Sequence, residues 1–526
     1  MNCLLTMTKK NKINVAIFAF MCFLSSVFSI LIIEFNPAII FGLICALVVV
    51  LVMFRYPEVG TLVVIFVIYT NIPVIAKQMY GVPQVLASSV ILFLAIPIIH
   101  YVYLKKENLV IDNTFMIMVG FLIVSICSSF FSKDTDVSLG WIIVFIQEGL
   151  VLYFLVTNAI RSLSTLKRTI WALILAGSLL GGVSLYQELM QSYDNQFGGL
   201  ARKSADKIER WETRKSDYAY GRTGLVANRS KVSGINRAEG PMEEPNRFAQ
   251  TMLVLLPLGC FTFWRERRRW RRLGAIVATS LILCGVLLSY SRGALITLAL
   301  LLVLATCLRY IRLYQILAGV LALFLIITVA APGFFSRLDS IRGVEGLYSE
   351  EAEVSPDGAV RGRMTEMLAA LKVFVDHPIL GVGPGQYMPF YSMQYHLDLE
   401  NAFRYLPRAR RAHSLYLELA AEVGIIGLAT FMFAVCLVIV RLWDIRRRAM
   451  YVRSDLANMA TALILSFIAY LGTAMFLHLA YQRYYWLLLA IGGSALRVLH
   501  DELLLGDSFI EESVEVANDT QYDMAL

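Results

Sequence analysis

The sequence predicts an all-α polytopic membrane protein: about 14 transmembrane helices with two long extracytoplasmic loops, the second containing an amphipathic surface helix. Three observations carry this. The 526 residues are 58% hydrophobic and only 16% charged, with a mean hydropathy of +0.65, outside the range of a soluble globular domain. Apolar runs long enough to cross a ~30 Å hydrocarbon core recur from end to end. Basic clusters fall at every second short connection, as they do in cytoplasmic loops.

In order along the chain, the apolar runs lie near 14–33, 38–54, 59–76, 84–104, 114–131, 138–159, 169–187, 248–264, 273–290, 293–308, 313–331, 414–440, 456–478 and 482–499. Lys9, Lys10 and Lys12 before the first run resemble a signal peptide, but no small-residue cleavage site follows, so the run is read as a retained span. Arg55, Lys105 and Lys106, Arg161 with Lys167 and Arg168, Arg265 to Arg272, Arg309 with Arg312, and Arg441 to Arg453 then share one side. That places both termini in the cytoplasm. The chain divides into N-terminal spans (1–187), a first outer loop (188–247), central spans (248–331), a second outer loop (332–412), C-terminal spans (413–499) and a polar, acidic tail (500–526) read as disordered.

The formal charge of +8 is read as topology, which removes nucleic acid as a partner. Seven of the eight cysteines lie in apolar runs and Cys3 near the N-terminus, with no spacing of a metal site or disulfide framework.

The outer loops are arginine-rich: Arg202, Arg210, Arg214, Arg222, Arg229 and Arg237 in the first, Arg337, Arg342, Arg361, Arg363 and Arg404 in the second. Long loops escape the orientation rule, so these cations point to an anionic substrate or to anionic headgroups. Within the second loop, Gly362 to Val375 sets Met364, Met367, Leu368, Leu371, Phe374 and Val375 on one helical face, the pattern of a helix on the membrane surface. His377 and Pro378 end it, and Gly381 to Gly385 turn the chain back toward the membrane as a lid or wall. At the mouth of the next span, His413 follows Arg408, Arg410 and Arg411, a titratable imidazole behind fixed positive charge. Gln147 and Glu148, mid-span, are expected to face the protein interior.

The segment with His413, Glu422, Gly424, Gly427 and Leu428 resembles the H-N-x-x-L-x(4)-E-x-G-x-x-G-L pattern of the O-antigen ligase and polymerase superfamily, with Ser414 in place of the usual Asn. Further motifs stand in the family's order: Gly240 and Pro241, then Pro245, Asn246 and Arg247; Ser291 to Ala294; Arg363; and His377 to Gly383. The likeness covers roughly Gly234 to Leu428.

The resemblance implies a metal-independent glycosyltransferase without cofactor, in the bacterial cytoplasmic (inner) membrane with its site on the outer, periplasmic face. Its donor would be an undecaprenyl-diphosphate-linked glycan and its acceptor another glycan or a lipid A core, among membrane lipids and with a chain-length regulator or export protein as a further partner. Without a metal, the departing diphosphate needs protein cations, and arginine grips two oxygens at once. His413, Arg292 and Arg363 are then the catalytic candidates. His413 is either general base or diphosphate ligand, and Arg237, Asn246, Arg247, Arg361, Arg411 and His377 are substrate-binding candidates. Glu422, nine residues past His413 in what reads as the same helix, falls on a face about 180° away and is read as a helix-packing group or a support behind the site. Two long outer loops favour a polymerase over a ligase, and a lipid-linked oligosaccharide flippase is the competing class.

Overall fold

A computed structural model of the chain describes residues 47–48, 52–53, 55–83, 87, 90–193, 195–201, 237–242, 244–312, 314–315, 317, 319, 358–399, 409–478 and 482–523. The described residues form helices and no strands. In chain order these are α1 (Pro57–Tyr69), α2 (Ile72–Tyr80), α3 (Val90–Leu104), α4 (Asn113–Ser129), α5 (Thr135–Ala159), α6 (Leu163–Leu189), α7 (Pro245–Arg265), α8 (Arg269–Leu288), α9 (Arg292–Cys307), α10 (Gly358–Asp376), α11 (Ser392–Leu397), α12 (Leu415–Val452), α13 (Ser454–Ala474) and α14 (Gln482–Asp523).

Six of them, α5, α6, α7, α8, α12 and α13, are long and apolar enough to cross a membrane, and a seventh span results if α1 and α2, bent by 57°, are taken together. α3, α4 and α9 are apolar but shorter. The predicted runs 14–33, 38–54 and 313–331 lie wholly or largely outside the described residues, and 482–499 forms the first part of α14. Stop signals explain many boundaries. Asp112 and Asp134 cap α4 and α5 by accepting from Phe115 N and Val137 N, Ser162 caps α6 through Thr165 N, and Pro57 and Pro245 open their helices.

The core is built around α7, which packs on α8 and α13, while α6 packs on α8 and α12 on α13 and α4. At Gly181 of α6, a side chain would put Cβ 2.1 Å from the Leu281 carbonyl, so only glycine permits α8 to approach this closely. A ring cluster of Phe121, Phe145, Phe431, Tyr485 and Trp486 ties α4, α5, α12 and α14 together. Its pairs are 4.6 to 5.8 Å apart, within the range of favourable ring contacts.

α12 positions the functional end. Its 38 residues span about 57 Å, and Gly424 breaks it with φ 67° and ψ −171°. The break orphans backbone groups on both sides, and the segment 378–383 satisfies them. Ile425 N donates to Pro378 O at 2.8 Å and Ile426 N to Ile379 O at 3.4 Å, while Val382 N donates to Ala421 O at 3.0 Å and Gly383 N to Glu422 O at 2.9 Å. Ser128 of α4 adds a bond to Glu422 O at 2.9 Å. A side chain at Gly424 would lie 2.1 Å from Ile379 O, so both backbone conformation and space demand glycine.

Four expectations change here. The tail after Asp501 is helical rather than disordered as far as Asp523, since α14 runs on with no proline to stop it. Gln147 is exposed rather than interior: residues 146–151 form a π-helical turn that swings Gly149 and Leu150 inward instead. α10 begins at Gly358, four residues early, and Gly362, Thr365, Glu366, Ala369, Ala370 and Val373 form its buried face. Small residues let it approach α12, while Leu371 and Val375 of the expected apolar face are exposed. Finally, His413 is not on the helix that carries Glu422. It precedes the cap, Ser414, so a rotation counted along one helix does not relate the two.

Candidate functional site

Ser414 starts α12 by accepting from Leu417 N at 3.5 Å, so a serine in place of the family's asparagine does the work of an N-cap. One turn on, the buried Glu418 carboxylate reaches back. It accepts from Arg411 Nε at 2.9 Å and from Ala412 N at 3.1 Å, pinning the two residues before His413. His413 itself takes a left-handed backbone, φ 48°, uncommon outside glycine and held by these bonds on either side.

The imidazole so placed is buried, and its Nε2 lies 3.4 Å from Glu366 Oε2 on the packed face of α10. Arg410 NH1 sits 3.3 Å from Glu366 Oε1. Burial first, then the positive charges of Arg363, Arg247, Arg410 and Arg411, hold the His413 pKa well below 6.5, so the ring is neutral at neutral pH.

The other side of the site belongs to the start of α7. Arg247, 3% exposed, is gripped by Glu244 through Nε at 2.8 Å. It also donates from NH1 to His478 O at 3.3 Å and from NH2 to His478 Nε2 at 2.6 Å. His478 follows α13, and its ring stands edge-on to that of His413 with centroids 5.8 Å apart. Burial first, then Arg247, Arg411 and His413, depress the His478 pKa well below 6.5 as well.

Arg237 does not face outward. Its Nε donates to Ser289 O at 2.8 Å and its NH2 to Asn246 Oδ1 at 3.0 Å, so it joins the loop before α7 to the three-residue turn between α8 and α9. Arg292 is the first residue of α9 beyond that turn and is half-buried. The adjacent Gly293 packs on Phe476, two residues before His478, with the nearest ring atom 2.9 Å from a Cβ built there.

The sequence candidates therefore divide. The structure brings together His413, Arg363, Arg247 and Arg411 by contact or electrostatic coupling. Arg237 and Asn246 bond to each other beside the α8–α9 turn. His377 is exposed at the end of α10, its ring 6.1 Å from that of Tyr391, and serves the turn that docks on Gly424. Arg361 is half-buried one turn before Thr365, which bonds to its carbonyl. Arg408 lies outside the described residues.

Two participants were missed. Glu366 lies off the apolar stripe read from Gly362 to Val375, so the stripe gives it no role, although a carboxylate three residues after Arg363 lies on nearly the same side of a helix. His478 ends the span after the one that His413 opens. Counting spans puts both on one side of the membrane, and that parity was the available signal.

Apolar spans joined to a buried, cation-rich cluster at their ends define a helical membrane protein. The O-Antigen ligase family model matches residues 275–432, which supports a likeness of that segment to the O-antigen ligase and polymerase superfamily. Arg292, Arg363, Glu366 and His413 fall within the match, whereas Arg247 and His478 lie outside it. No curated protein matches the chain.

Proposed function

We propose that this protein is an outer-face, metal-independent glycosyltransferase that moves a glycan from an undecaprenyl-diphosphate donor to an acceptor hydroxyl in surface polysaccharide assembly. The observation that carries the reading is the buried, neutral imidazole of His413 set between the Glu366 carboxylate and a group of arginines, within the segment that matches the O-Antigen ligase family.

In this reading the Glu366 carboxylate, 3.4 Å from His413 Nε2, favours the ring proton on that nitrogen and leaves Nδ1 as the base. Nδ1 takes the acceptor's hydroxyl proton as the oxygen bonds to the anomeric carbon. The bond from that carbon to the diphosphate breaks, and its electron pair leaves with the lipid diphosphate. The proton rests on an imidazolium that Glu366 stabilises. Arg363 and Arg292 take the charge developing on the leaving group, with bidentate geometry and a charge that cannot be lost.

We favour a polymerase, extending one lipid-linked glycan with another, on the length of the two loops 188–247 and 332–412. The description of the matching family supports a second reading, a ligase that joins the glycan to a lipid A core. Purified protein in nanodiscs, given a lipid-linked oligosaccharide, is expected to release undecaprenyl diphosphate in the presence of EDTA. Translocation without release would instead make it a flippase. The surface glycan of a deletion strain separates the two transferases: a core capped by a single repeat means polymerase, and an uncapped core with polymer left on lipid means ligase.

A further inference from the structure

The two imidazoles of the site are held by opposite kinds of partner. Arginine can only donate, so the 2.6 Å contact from Arg247 NH2 requires a lone pair on His478 Nε2. The proton of neutral His478 therefore sits on Nδ1. Glu366 Oε2 lies 3.4 Å from His413 Nε2 without forming a hydrogen bond to it, and a carboxylate oxygen can only accept, so it favours the tautomer of neutral His413 with the proton on Nε2 and the lone pair on Nδ1. The groups facing His478 are Arg247 of α7, Arg411 and His413 before α12, and none of them supplies an acceptor to Nδ1 among the described residues. Both Nδ1 atoms are buried and have no hydrogen-bond partner among the described residues, and the rings are edge-on at 5.8 Å. A buried, unspent donor beside a buried, unspent acceptor is costly in a folded chain unless it has a use.

We propose that His478 is a second substrate-contacting residue: its Nδ1–H donates to the same acceptor-sugar hydroxyl oxygen whose proton His413 Nδ1 removes. A hydroxyl both donates and accepts, and the pair offers one partner of each kind. The bond from His478 persists as the hydroxyl proton moves to His413 and the oxygen attacks, so it aims the attacking lone pair and steadies the charge on the oxygen until the new bond to the anomeric carbon forms. This role rests on the transferase reading. The opposite tautomers do not.

Two isosteric substitutions separate the role from simple anchoring of Arg247. His478→Gln keeps an oxygen where Nε2 lies, so Arg247 retains its acceptor, but removes the donor at the Nδ1 position. His478→Asn keeps a donor near the Nδ1 position and withdraws the acceptor from Arg247. With the lipid-linked oligosaccharide as donor and a free acceptor glycan as probe, His478→Gln is expected to lower kcat at least tenfold with an unchanged size-exclusion profile, and His478→Asn to retain more activity than Gln. A wild-type rate in His478→Gln, or full activity in Gln with loss in Asn, overturns the proposal in favour of anchoring. The tautomers are read independently by nitrogen-15 histidine spectra in bilayers, feasible because the chain has only six histidines, with assignment by the 478 and 413 variants. Protonated Nδ1 at His478 with protonated Nε2 at His413 is expected, and the reverse at either ring refutes the proposal whatever the activity. Wild-type protein that releases no undecaprenyl diphosphate while showing the expected tautomers would strike the transferase reading instead.

Discussion

Two buried arginines flank the His413 ring, and they are held in different ways. Arg411, at the approach to α12, closes on the Glu418 carboxylate, which also ties down Ala412 N. Arg247, at the start of α7, is shared between the Glu244 carboxylate and the imidazole and carbonyl of His478. The first arrangement is a pin between a guanidinium and a carboxylate. The second includes a titratable acceptor, so the α7 side of the site depends on an imidazole staying neutral. A site that needs one fixed wall and one wall sensitive to protonation is built by changing a single partner.

The largest effects expected are on the base between these walls and on the arginines assigned to the leaving group. His413→Ala should lower turnover by about 10²–10⁴ without loss of membrane insertion. Unchanged turnover in the reconstituted assay would remove His413 from the chemistry. Arg292→Ala and Arg363→Ala should likewise abolish transfer, with lysine rescuing Arg292 poorly because a point charge does not grip two oxygens.

Breaking the pin comes next. Glu418→Ala strands the buried Arg411 and should destabilise the protein by about 3–5 kcal/mol, visible as a lowered Tm in detergent. A Glu418→Ala protein as stable as the parent would show that the pair contributes nothing beyond what solvent supplies. Gly424→Ala forces a side chain into a left-handed position against Ile379 O, and should cost about 1–3 kcal/mol while loosening the turn that seats α10. Faster proteolysis between residues 376 and 390 is the expected readout.

The pH response sharpens the contrast. The folded-state pKa values of His413 and His478 lie below the ordinary 6.5, so the unfolded chain takes up protons first as pH falls. Their contribution to stability is complete above about pH 6.5 and is lost progressively below it, toward the depressed folded values. Tm should therefore fall on acidification through this window, and less steeply in His478→Gln. The smallest loss is expected at Gln147→Leu, which replaces a polar group on the exposed side of the π-helical turn of a candidate span by an apolar one and should not lower Tm.

How much of this was legible beforehand depended on distance along the chain. The helical class and the spans from 59 to 187 and from 248 to 308 follow from apolar run length, and the structure places helices at each. The Gly424 motif and the turn after His377 were visible as residues, but their meaning was not. That the turn supplies backbone partners to a broken helix is a contact between segments about forty residues apart. On α10 the apolar stripe misled, because small residues and Glu366, rather than the large apolar side chains, form its packed face.

Composition and periodicity by themselves determined that the chain is helical and built around apolar spans, since length and polarity of a run are local properties that the bilayer reads directly. The family motifs marked His413, Arg292 and Arg363 as residues of interest. Only the tertiary structure decided that Glu366 meets His413, that Arg247 meets His478, and that Arg411 is closed in an ion pair. The reason is physical: a buried ionisable group takes its state from the partners that surround it, and here those partners come from the start of α7, the packed face of α10 and the two ends of the α12–α13 pair, which no local pattern relates.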